Sequence, residues 1–269
     1  PVFAEEELIG FATSRAHHAD IGGETPGGMP AFSTRLEQEG VVIPPTRADD
    51  EVLRSLAERM RNPDQRLADF RAQRAANLTG ITRMRELYSR HGREPLREGM
   101  AEILDYAERR TRAALAALPD GDGKAVDRLE AADGTEIVLR VCASIRDDAL
   151  ILDFEGTDPQ AEGNLNCPIS VTWAACSYAV RVVCDPDAPP SAGAWRPVEL
   201  RAPEGSLLNA RPPAAVTAGN VETSGRVADL VIDALGAFRP VPAQGQGTMN
   251  NFTLADDHFT YYETIGGGQ

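Results

Sequence analysis

The sequence predicts an α+β fold in which long helices precede an antiparallel or mixed sheet. Between residues 49 and 119, apolar residues recur three and four positions apart, which is the period of a helix. After Gly123 the apolar residues alternate with polar ones, as they do in half-buried strands. Helices followed by strands, rather than a regular alternation of the two, favour α+β over a parallel α/β fold. The 269 residues suffice for one large domain or two small ones.

The first 20 residues are predicted to form a hairpin. A short strand runs to about Phe3, the chain turns at 4–7, and a second strand at Leu8–Ala16 leads into two histidines. Because side chains alternate along a strand, His17 would face one side and both His18 and Asp20 the other. An irregular stretch, 21–47, follows, and loops of this length are typically functional or disordered.

Three helices are predicted next. The first begins at Asp49 and ends near Asn62. The second has Asn62 as its cap and Pro63 in its first turn, and it closes at 91–92. The third runs from Pro95 to Pro119. Arginines on these helices alternate with acidic residues, which favours a solvated, salt-bridged face over a phosphate site; they are Arg66, Arg71, Arg74, Arg83 and Arg85.

The remainder is predicted to combine hairpins with two helices. Strands at 135–143 and 149–155 form a hairpin, and a polar loop, 156–166, leads to a helix that includes Pro168 in its first turn. A second helix follows a polar loop at 219–224, and a final hairpin spans 248–265. Short strands are expected at 198–202 and 207–208. We therefore divide the chain into a hairpin with a glycine- and proline-rich loop (1–47), a helical region (48–119) and an α+β region with site loops (120–269), within one continuous domain.

Charge and composition exclude several function classes. The net charge of −14 disfavours a nucleic-acid partner, because phosphate backbones select basic surfaces. No apolar run approaches the ~18–20 residues of a membrane helix, and no signal peptide is recognisable. The four cysteines lack C-x-x-C spacing and are expected to be free thiols in the cytoplasm. Starting at Pro1 and stopping within 266–269, the chain is expected to be a fragment of a larger protein.

The stretch His17-His18-Ala19-Asp20 carries the strongest chemical signal. Imidazoles and a carboxylate before a glycine-rich loop suit a metal site or an acid–base site. Alternatively, one histidine is buried and hydrogen-bonded and the other is solvated. If the strand persists, the two histidines do not share one ion, and further ligands must come from elsewhere.

Two polar loops precede predicted helices, at 163–166 and 219–224. Helix N-termini offer free N–H groups that can hold a carboxylate, a phosphate or an oxyanion. For each loop alone, capping by Asn166 and by Thr223 or Ser224 is the simpler explanation. Cys167 lies at such a helix start but has no neighbouring base, so a nucleophilic role is disfavoured. Glu222 and Glu263 are candidates for acid–base groups.

Together these motifs resemble the hydantoinase B/oxoprolinase family. The resemblance covers nearly the whole chain and includes long motifs. They are His17–Gly23, Thr25–Pro30, Glu39-Gly40 with 43–45, Gly156-Thr157 with 159–160, Gly163–Asn166, 195–197, 203–206, Asn209 with 211–214, Gly219–Ser224, 246–251 and 261–268.

The resemblance implies a subunit of a hetero-oligomeric, ATP-dependent hydrolase of cyclic amides such as hydantoins or 5-oxoproline. A hydantoinase A-type partner would bind ATP and phosphorylate the substrate oxygen, and the chain of the present type would hold a divalent metal (Zn, Mn or Fe). His17 matches the family's metal ligand, whereas the upstream His-x-x-Asp motif is absent, so the site would be incomplete. Catalytic roles are expected for His18, Asp20 and Glu222. Substrate contacts are expected from Asn164, Asn166, Asn220 and Thr223.

Two alternatives remain open at this point. The same scaffold occurs in subunits of acetone and acetophenone carboxylases, so the chain could serve an ATP-dependent ketone carboxylase. It could also be a non-catalytic scaffold for the ATPase subunit.

Overall fold

A computed structural model describes residues 1–245, 247–248, 250–256 and 258–265. The described residues form two units. The first unit contains Pro1–Gly28, Gly40–Glu102 and Thr253–Tyr262, and the second contains Met29–Glu39, Ile103–Phe252 and residues 263–265. This division cuts across the three regions expected from the sequence, because each unit is built from separated segments.

The second unit is organised around a four-stranded sheet. Strands β3 (Gly121–Glu130), β4 (Glu136–Arg146), β5 (Ala149–Asp153) and β6 (Val198–Arg201) lie in that order. The first three are antiparallel, and β6 pairs with β5 in parallel. In β4 every second side chain is buried from Ile137 to Ile145, so the alternation seen in the sequence marks the core face of the sheet.

Two helices complete the core of this unit. Helix α6 (Ser224–Leu235) packs on β3 and β4, and helix α5 (Ile169–Cys184) packs against α6. Gly123 permits the close contact between β3 and α6, because a Cβ on this residue would lie 2.0 Å from the carbonyl oxygen of Ala234. The buried cluster includes Phe154, Leu207, Leu208 and the apolar face of α6. The parallel β5–β6 pair, with α5 between its strands in the chain, makes the sheet mixed.

The first unit is smaller and largely helical. It holds a hairpin of β1 (Val2–Ala4) and β2 (Glu7–Gly10), the capped helix α2 (Asp50–Ala57), and the long helix α3 (Pro63–His91). Leu53 and Ala57 of α2 pack on Leu67 of α3. Helix α4 (Arg93–Ala116) continues from α3 and extends into the second unit. A short helix, α1 (Leu36–Glu39), lies in the second unit.

The predicted fold class is confirmed, and several local predictions are corrected. The strand predicted at Leu8–Ala16 ends at Gly10, and residues 11–18 run along α3, where Ala12 contacts Gly80. The argument from strand alternation at the histidines is therefore wrong. Strand β3 was not predicted, because charged residues occupy its exposed positions. Residues 207–208 are buried but not a strand, and Pro168 caps α5 from outside the helix.

The final hairpin is present as β7 (Asn250–Ala255) and β8 (Thr260–Ile265). Three parts of the predicted motifs, Gln246, Met249 and residues 266–269, lie outside the described residues. None of the helices in the described part of the chain combines the length and apolarity needed to cross a bilayer.

Candidate functional site

Asp20 organises the glycine-rich loop of the first unit. Its side chain is 1% exposed and accepts hydrogen bonds from the backbone N–H groups of Gly22 (2.7 Å) and Gly27 (2.9 Å). The Arg61 guanidinium lies 3.2 Å from the same carboxylate and also donates to the carbonyl oxygen of Glu24. Gly22 and Gly27 both have positive φ angles near 80°, which glycine adopts without strain. The Asp20 carboxylate thus holds the glycine-rich loop in place.

His18 is buried beside α3 with one ring nitrogen held and the other unpartnered. Its side chain is 7% exposed, and Nε2 hydrogen-bonds the amide oxygen of Gln73 at 3.0 Å. Nδ1 has no hydrogen-bond partner among the residues that the structure describes, and Asp69 Oδ2 lies 4.0 Å away. His18 is therefore an imidazole fixed by one hydrogen bond, with its second ring nitrogen buried beside Asp69.

His17 is the exposed histidine of the pair. Its ring packs on Tyr262 with centroids 5.5 Å apart. The two imidazoles thus have different surroundings, one buried and hydrogen-bonded and one accessible. In the described part of the chain no three His, Cys, Asp or Glu side chains come together as a metal site. The described residues alone do not form a metal centre, although His17 can offer one imidazole ligand.

Sequence reasoning missed Arg61, Arg66 and Gln73, which support the histidine motif. Arg66 was expected on a solvated face, but it is 5% exposed and donates to the carbonyl oxygen of Asp20 at 3.1 Å. The expectation of an ion-paired, exposed face is confirmed for Arg74 with Asp50 and for Arg83 with Glu86. Only the tertiary fold separates the buried Arg66 from the exposed Arg74 and Arg83, because all three lie in similar local sequence.

The structure brings the two polar loops of the second unit together. The N–H of Gly219 donates to the carbonyl oxygen of Asn164 (2.9 Å), and the Thr223 hydroxyl donates to that of Leu165 (2.6 Å). A Cβ on Gly219 would lie 2.0 Å from the carbonyl oxygen of Asn166, so only glycine fits this contact. The backbones of the two loops are therefore in direct contact and hydrogen-bonded to each other, and we call this pair of loops the loop layer.

The side chain of Asn166 stabilises the loop layer from its buried side. It is fully buried, and its Oδ1 accepts from the N–H of Ala161 at 2.7 Å. Its Nδ2 lies 2.8–3.0 Å from three carbonyl oxygens, those of Ala161, Gly163 and Ala215. The capping role considered for Asn166 is wrong, since Pro168 occupies the cap position of α5. With both amide hydrogens engaged, this side chain is placed to fix the loop rather than to contact a substrate.

Two of the predicted residues, Asn220 and Glu222, are accessible to solvent at the surface of the loop layer. They lie in a π-helical turn, Gly219–Thr223, that precedes α6, and such turns are frequent at functional sites. Asn220 is exposed, Glu222 is half-buried and accepts a hydrogen bond from the Thr248 hydroxyl, and Thr223 is fully buried. Neither Thr223 nor Ser224 makes the capping hydrogen bond considered for it. Asn220 and Glu222 are the accessible polar groups of the turn.

Asn164 and Glu39 hold a loop that includes Phe32. The Asn164 side-chain amide donates to the carbonyl oxygen of Pro30 at 2.8 Å. The buried Glu39 carboxylate accepts from the N–H groups of Val216 (2.9 Å) and Thr217 (2.9 Å) and from the Ser33 hydroxyl. Glu39 was recognised only as part of a motif, because nothing in its neighbours along the chain shows that two distant N–H groups bind it.

Two of the cysteines, Cys167 and Cys176, are buried thiols of the core. Cys167 is fully buried and donates its S–H to the carbonyl oxygen of Gly219 at 3.2 Å. Burial raises the pKa of the Cys167 thiol to about 12 and that of Cys176 to about 12. A thiol of such high pKa is almost entirely protonated near neutrality, so the doubt about a nucleophilic Cys167 is supported.

The candidate residues thus fall into two sets. His17, His18 and Asp20 belong to the first unit, and Asn164, Asn166, Asn220, Glu222 and Thr223 belong to the second. Within each set, one or two side chains are accessible and the others hold the backbone.

Comparisons with known proteins bear on what these sets do. The model of the hydantoinase B/oxoprolinase family matches residues 1–269. The chain is 36% identical to a 5-oxoprolinase of Dictyostelium discoideum, over the whole chain and 22% of that protein. It is 29% identical to a B-type D-/L-hydantoinase subunit of Pseudomonas sp. strain NS671, over 89% of the chain and 44% of that protein. The chain therefore spans less than half the length of either relative.

A solved structure shares the fold. The crystal structure of an ATP-dependent caprolactamase from Pseudomonas jessenii superposes with a TM-score of 0.77. The match covers 91% of this chain and 45% of the caprolactamase chain, with 24% identical residues. At this identity the similarity concerns the fold.

Proposed function

Because the chain belongs to the hydantoinase B/oxoprolinase family, we propose that it is the catalytic part of an ATP-dependent enzyme that opens cyclic amides. The substrate class is hydantoins, 5-oxoproline and related rings. A hydantoinase A-type partner, as a separate polypeptide or a fused domain, binds ATP and phosphorylates the amide oxygen. The observation that carries the proposal is the match of the family model across all 269 residues, which include both sets of candidate residues.

The chemistry explains why two activities are needed. Water attacks an amide slowly because the nitrogen lone pair stabilises the carbonyl group and the amine is a poor leaving group. Phosphorylation of the oxygen removes that stabilisation and makes the carbon electrophilic. The chain proposed here must then position the activated ring and manage protons at the attacking water and at the ring nitrogen.

The geometry supports a revised distribution of roles. We assign His17, the accessible imidazole, as a ligand of a divalent metal whose other ligands lie outside the described residues. His18, whose ring is fixed by the hydrogen bond between Nε2 and Gln73, would position the segment that presents His17 to the metal. Asp20 acts as a positioning residue, since its carboxylate is occupied by Gly22, Gly27 and Arg61.

In the second unit, Glu222 and Asn220 are the groups assigned to substrate. Glu222 is half-buried, carries a carboxylate that can take or return a proton, and is oriented by Thr248. The exposed Asn220 amide can donate to a ring carbonyl and accept from a ring N–H. Asn164, Asn166 and Thr223 hold the backbone beneath them.

The test is substrate-dependent ATP turnover by the full-length protein with its ATP-binding partner. Hydantoin, 5-oxoproline and acetone are each offered with and without bicarbonate, and ADP is measured together with the ring-opened or carboxylated product. Equal amounts of ADP and ring-opened product, unaffected by bicarbonate, support hydrolysis. A product that requires bicarbonate and a ketone would instead establish the carboxylase alternative.

His17→Ala tests the catalytic assignment against a scaffold role. The variant should lose both product formation and bound metal, measured by elemental mass spectrometry, while the complex still assembles. His91→Ala removes an exposed histidine at the end of α3 and serves as the matched control. Wild-type activity and metal content in His17→Ala would reject the assignment.

A further inference from the structure

A cleft in the second unit has the properties of a protein-docking surface. It has a volume of about 580 Å³, and we call it the Phe32 cleft. Its floor is apolar, formed by Ile137, Ala161 and Leu165, with Phe32 at one edge. Phe32 is 79% exposed, the largest exposed fraction of any large apolar side chain in the described part of the chain. An exposed aromatic ring beside an apolar floor is typical of interface anchors.

The loop that carries Phe32 is fixed on both sides. Before it, the Pro30 carbonyl oxygen accepts from the Asn164 amide at 2.8 Å. After it, Ser33 is 1% exposed and its hydroxyl donates to the buried Glu39 carboxylate at 2.9 Å. The N–H of Leu36 then donates to the Pro213 carbonyl oxygen at 2.9 Å. These contacts order the loop around the ring, so the ring is presented before any partner arrives and little entropy is lost on binding.

The charge around the Phe32 cleft defines the partner. Among the described residues, four carboxylates line it and no lysine or arginine does. They are Asp133, Glu136, Asp158 and Glu162. Glu136 is already paired with the Arg128 guanidinium at 2.7 Å, so a cation on the partner would be met by the other three. The N–H of Thr135 donates to the Asp133 carboxylate at 2.9 Å and lowers the pKa of that group, which favours its anion. The N–H of Val138 donates to the Asp158 carboxylate at 2.7 Å and fixes its position. A partner must therefore bring positive charge close to an apolar group.

We propose that the Phe32 cleft docks a segment of the ATP-binding partner that carries an aliphatic or aromatic side chain beside lysine or arginine. The apolar side chain packs against Phe32 and Ile137, and the cation lies among the rim carboxylates. The choice of partner rests on the proposed function, whereas the chemistry of the segment rests on the cleft. Apolar contact supplies most of the affinity, and the rim charges steer the encounter and fix its orientation.

Photo-cross-linking in the full-length complex tests the site directly. Benzoylphenylalanine replaces Phe32, the complex is irradiated, and cross-linked peptides are identified by mass spectrometry. The expected product joins position 32 to a segment of the ATP-binding polypeptide with a basic residue next to an apolar one. A cross-link only to a second copy of this chain or to a part of its own polypeptide other than an ATP-binding domain, or no cross-link in an assembled complex, overturns the proposal.

Affinity measurements give the contribution of the Phe32 cleft to binding of the partner. Phe32→Ala should raise the Kd for the ATP-binding partner at least about 30-fold, as for an aromatic anchor that is buried on binding. Tyr178→Ala, which removes a ring 60% exposed on α5 outside the cleft, is the control and should leave the Kd unchanged. Glu162→Lys should weaken binding about fivefold at low salt and less at high salt, since exposed charges are screened. Glu155→Lys, an exposed glutamate outside the cleft, is its control.

The two proposals fail in different ways. If the complex assembles and opens rings with ATP but position 32 does not cross-link and Phe32→Ala binds normally, the docking surface is rejected and the function stands. If position 32 cross-links and assembly depends on Phe32 but no cyclic amide is hydrolysed, the function is rejected and the surface stands. Absence of any wild-type complex rejects both.

Discussion

Replacing Asn166 with alanine is expected to destabilise the second unit by about 3–5 kcal/mol without touching an exposed surface. The substitution removes the acceptor for the buried N–H of Ala161 and the donor for three carbonyl oxygens. An unsatisfied buried donor costs about 1–3 kcal/mol, and each lost hydrogen bond contributes about 1 kcal/mol more. The estimate counts one orphaned N–H and the two bonds that the amide hydrogens can make at one time.

Urea unfolding followed by tryptophan fluorescence measures this loss in the right part of the molecule. The chain has two tryptophans, Trp173 and Trp195, and both belong to the second unit. With a denaturant slope of about 2 kcal/mol/M, a loss of about 3–5 kcal/mol moves the midpoint down by about 1.5–2.5 M. Asn220→Ala is the control, because this asparagine is exposed in the adjoining turn and should change stability by less than about 0.5 kcal/mol.

The two asparagines also separate stability from catalysis. Asn220→Ala should leave the midpoint unchanged and raise KM if this residue contacts substrate. A free energy of unfolding for Asn166→Ala within about 0.5 kcal/mol of the wild-type value would refute the reasoning that this side chain holds the two loops together.

Three further predictions concern packing, charge and thiol chemistry. Arg61→Leu should destabilise the first unit by about 2 kcal/mol because the buried Asp20 carboxylate loses its guanidinium, whereas the exposed Arg59→Leu should change little. Thermal unfolding followed by circular dichroism compares the two, and equal midpoints would contradict the role of Arg61. Gly219→Ala should cost about 3 kcal/mol, since its Cβ would lie 2.0 Å from the Asn166 carbonyl oxygen. Gly99→Ala, in α4 with open space around it, should instead increase the free energy of unfolding by about 0.5–1 kcal/mol. Denaturation midpoints that shift in the same direction for both variants would contradict the proposed contact of Gly219 with Asn166. Cys167 and Cys176, with pKa values raised to about 12, should resist iodoacetamide at pH 8, where a thiolate is present in only about one molecule in ten thousand. Their reaction should become possible on unfolding, and rapid labelling of the folded protein, detected by mass spectrometry, would contradict their burial.

The sequence predicted the elements whose signals are local. Asp49 accepts from the N–H of Val52 and caps α2, Pro63 starts α3, and Gly92 closes it with a φ of 80°. Each of these effects acts within a few residues, so neighbours along the chain suffice to identify it. Strand β4 was recognisable for the same reason, since its alternation is continuous from Ile137 to Ile145.

The errors arise where distant contacts override local preference. Residues 11–16 have apolar character suited to a strand, but they lie along α3, where the Ser14 hydroxyl reaches the carbonyl oxygen of Gln73. Strand β3 exposes Asp122, Lys124 and Arg128, and its pairing with β4 decides its conformation despite that charge.

The candidate site was predictable in residue type more than in role. The motif of His17, His18 and Asp20 indicated chemistry, yet nothing local distinguishes the accessible imidazole from the buried one. That distinction depends on Gln73 and Tyr262, which are 55 and 245 positions away from their respective histidines. Burial and partner geometry at such separations come only from the fold.

The segmented composition of the first unit has a consequence for folding during synthesis. His17 packs on Tyr262, and the Asn62 amide reaches the hydroxyl of Thr260, so this unit is completed by residues made long after its helices. Closing a flexible loop of about 150 residues costs about 4 kcal/mol in chain entropy. Ile103–Phe252 belongs to the second unit, and its earlier folding replaces that flexible loop with an ordered segment. While the chain is still on the ribosome, His17 must therefore wait, without its aromatic neighbour, until β8 is translated.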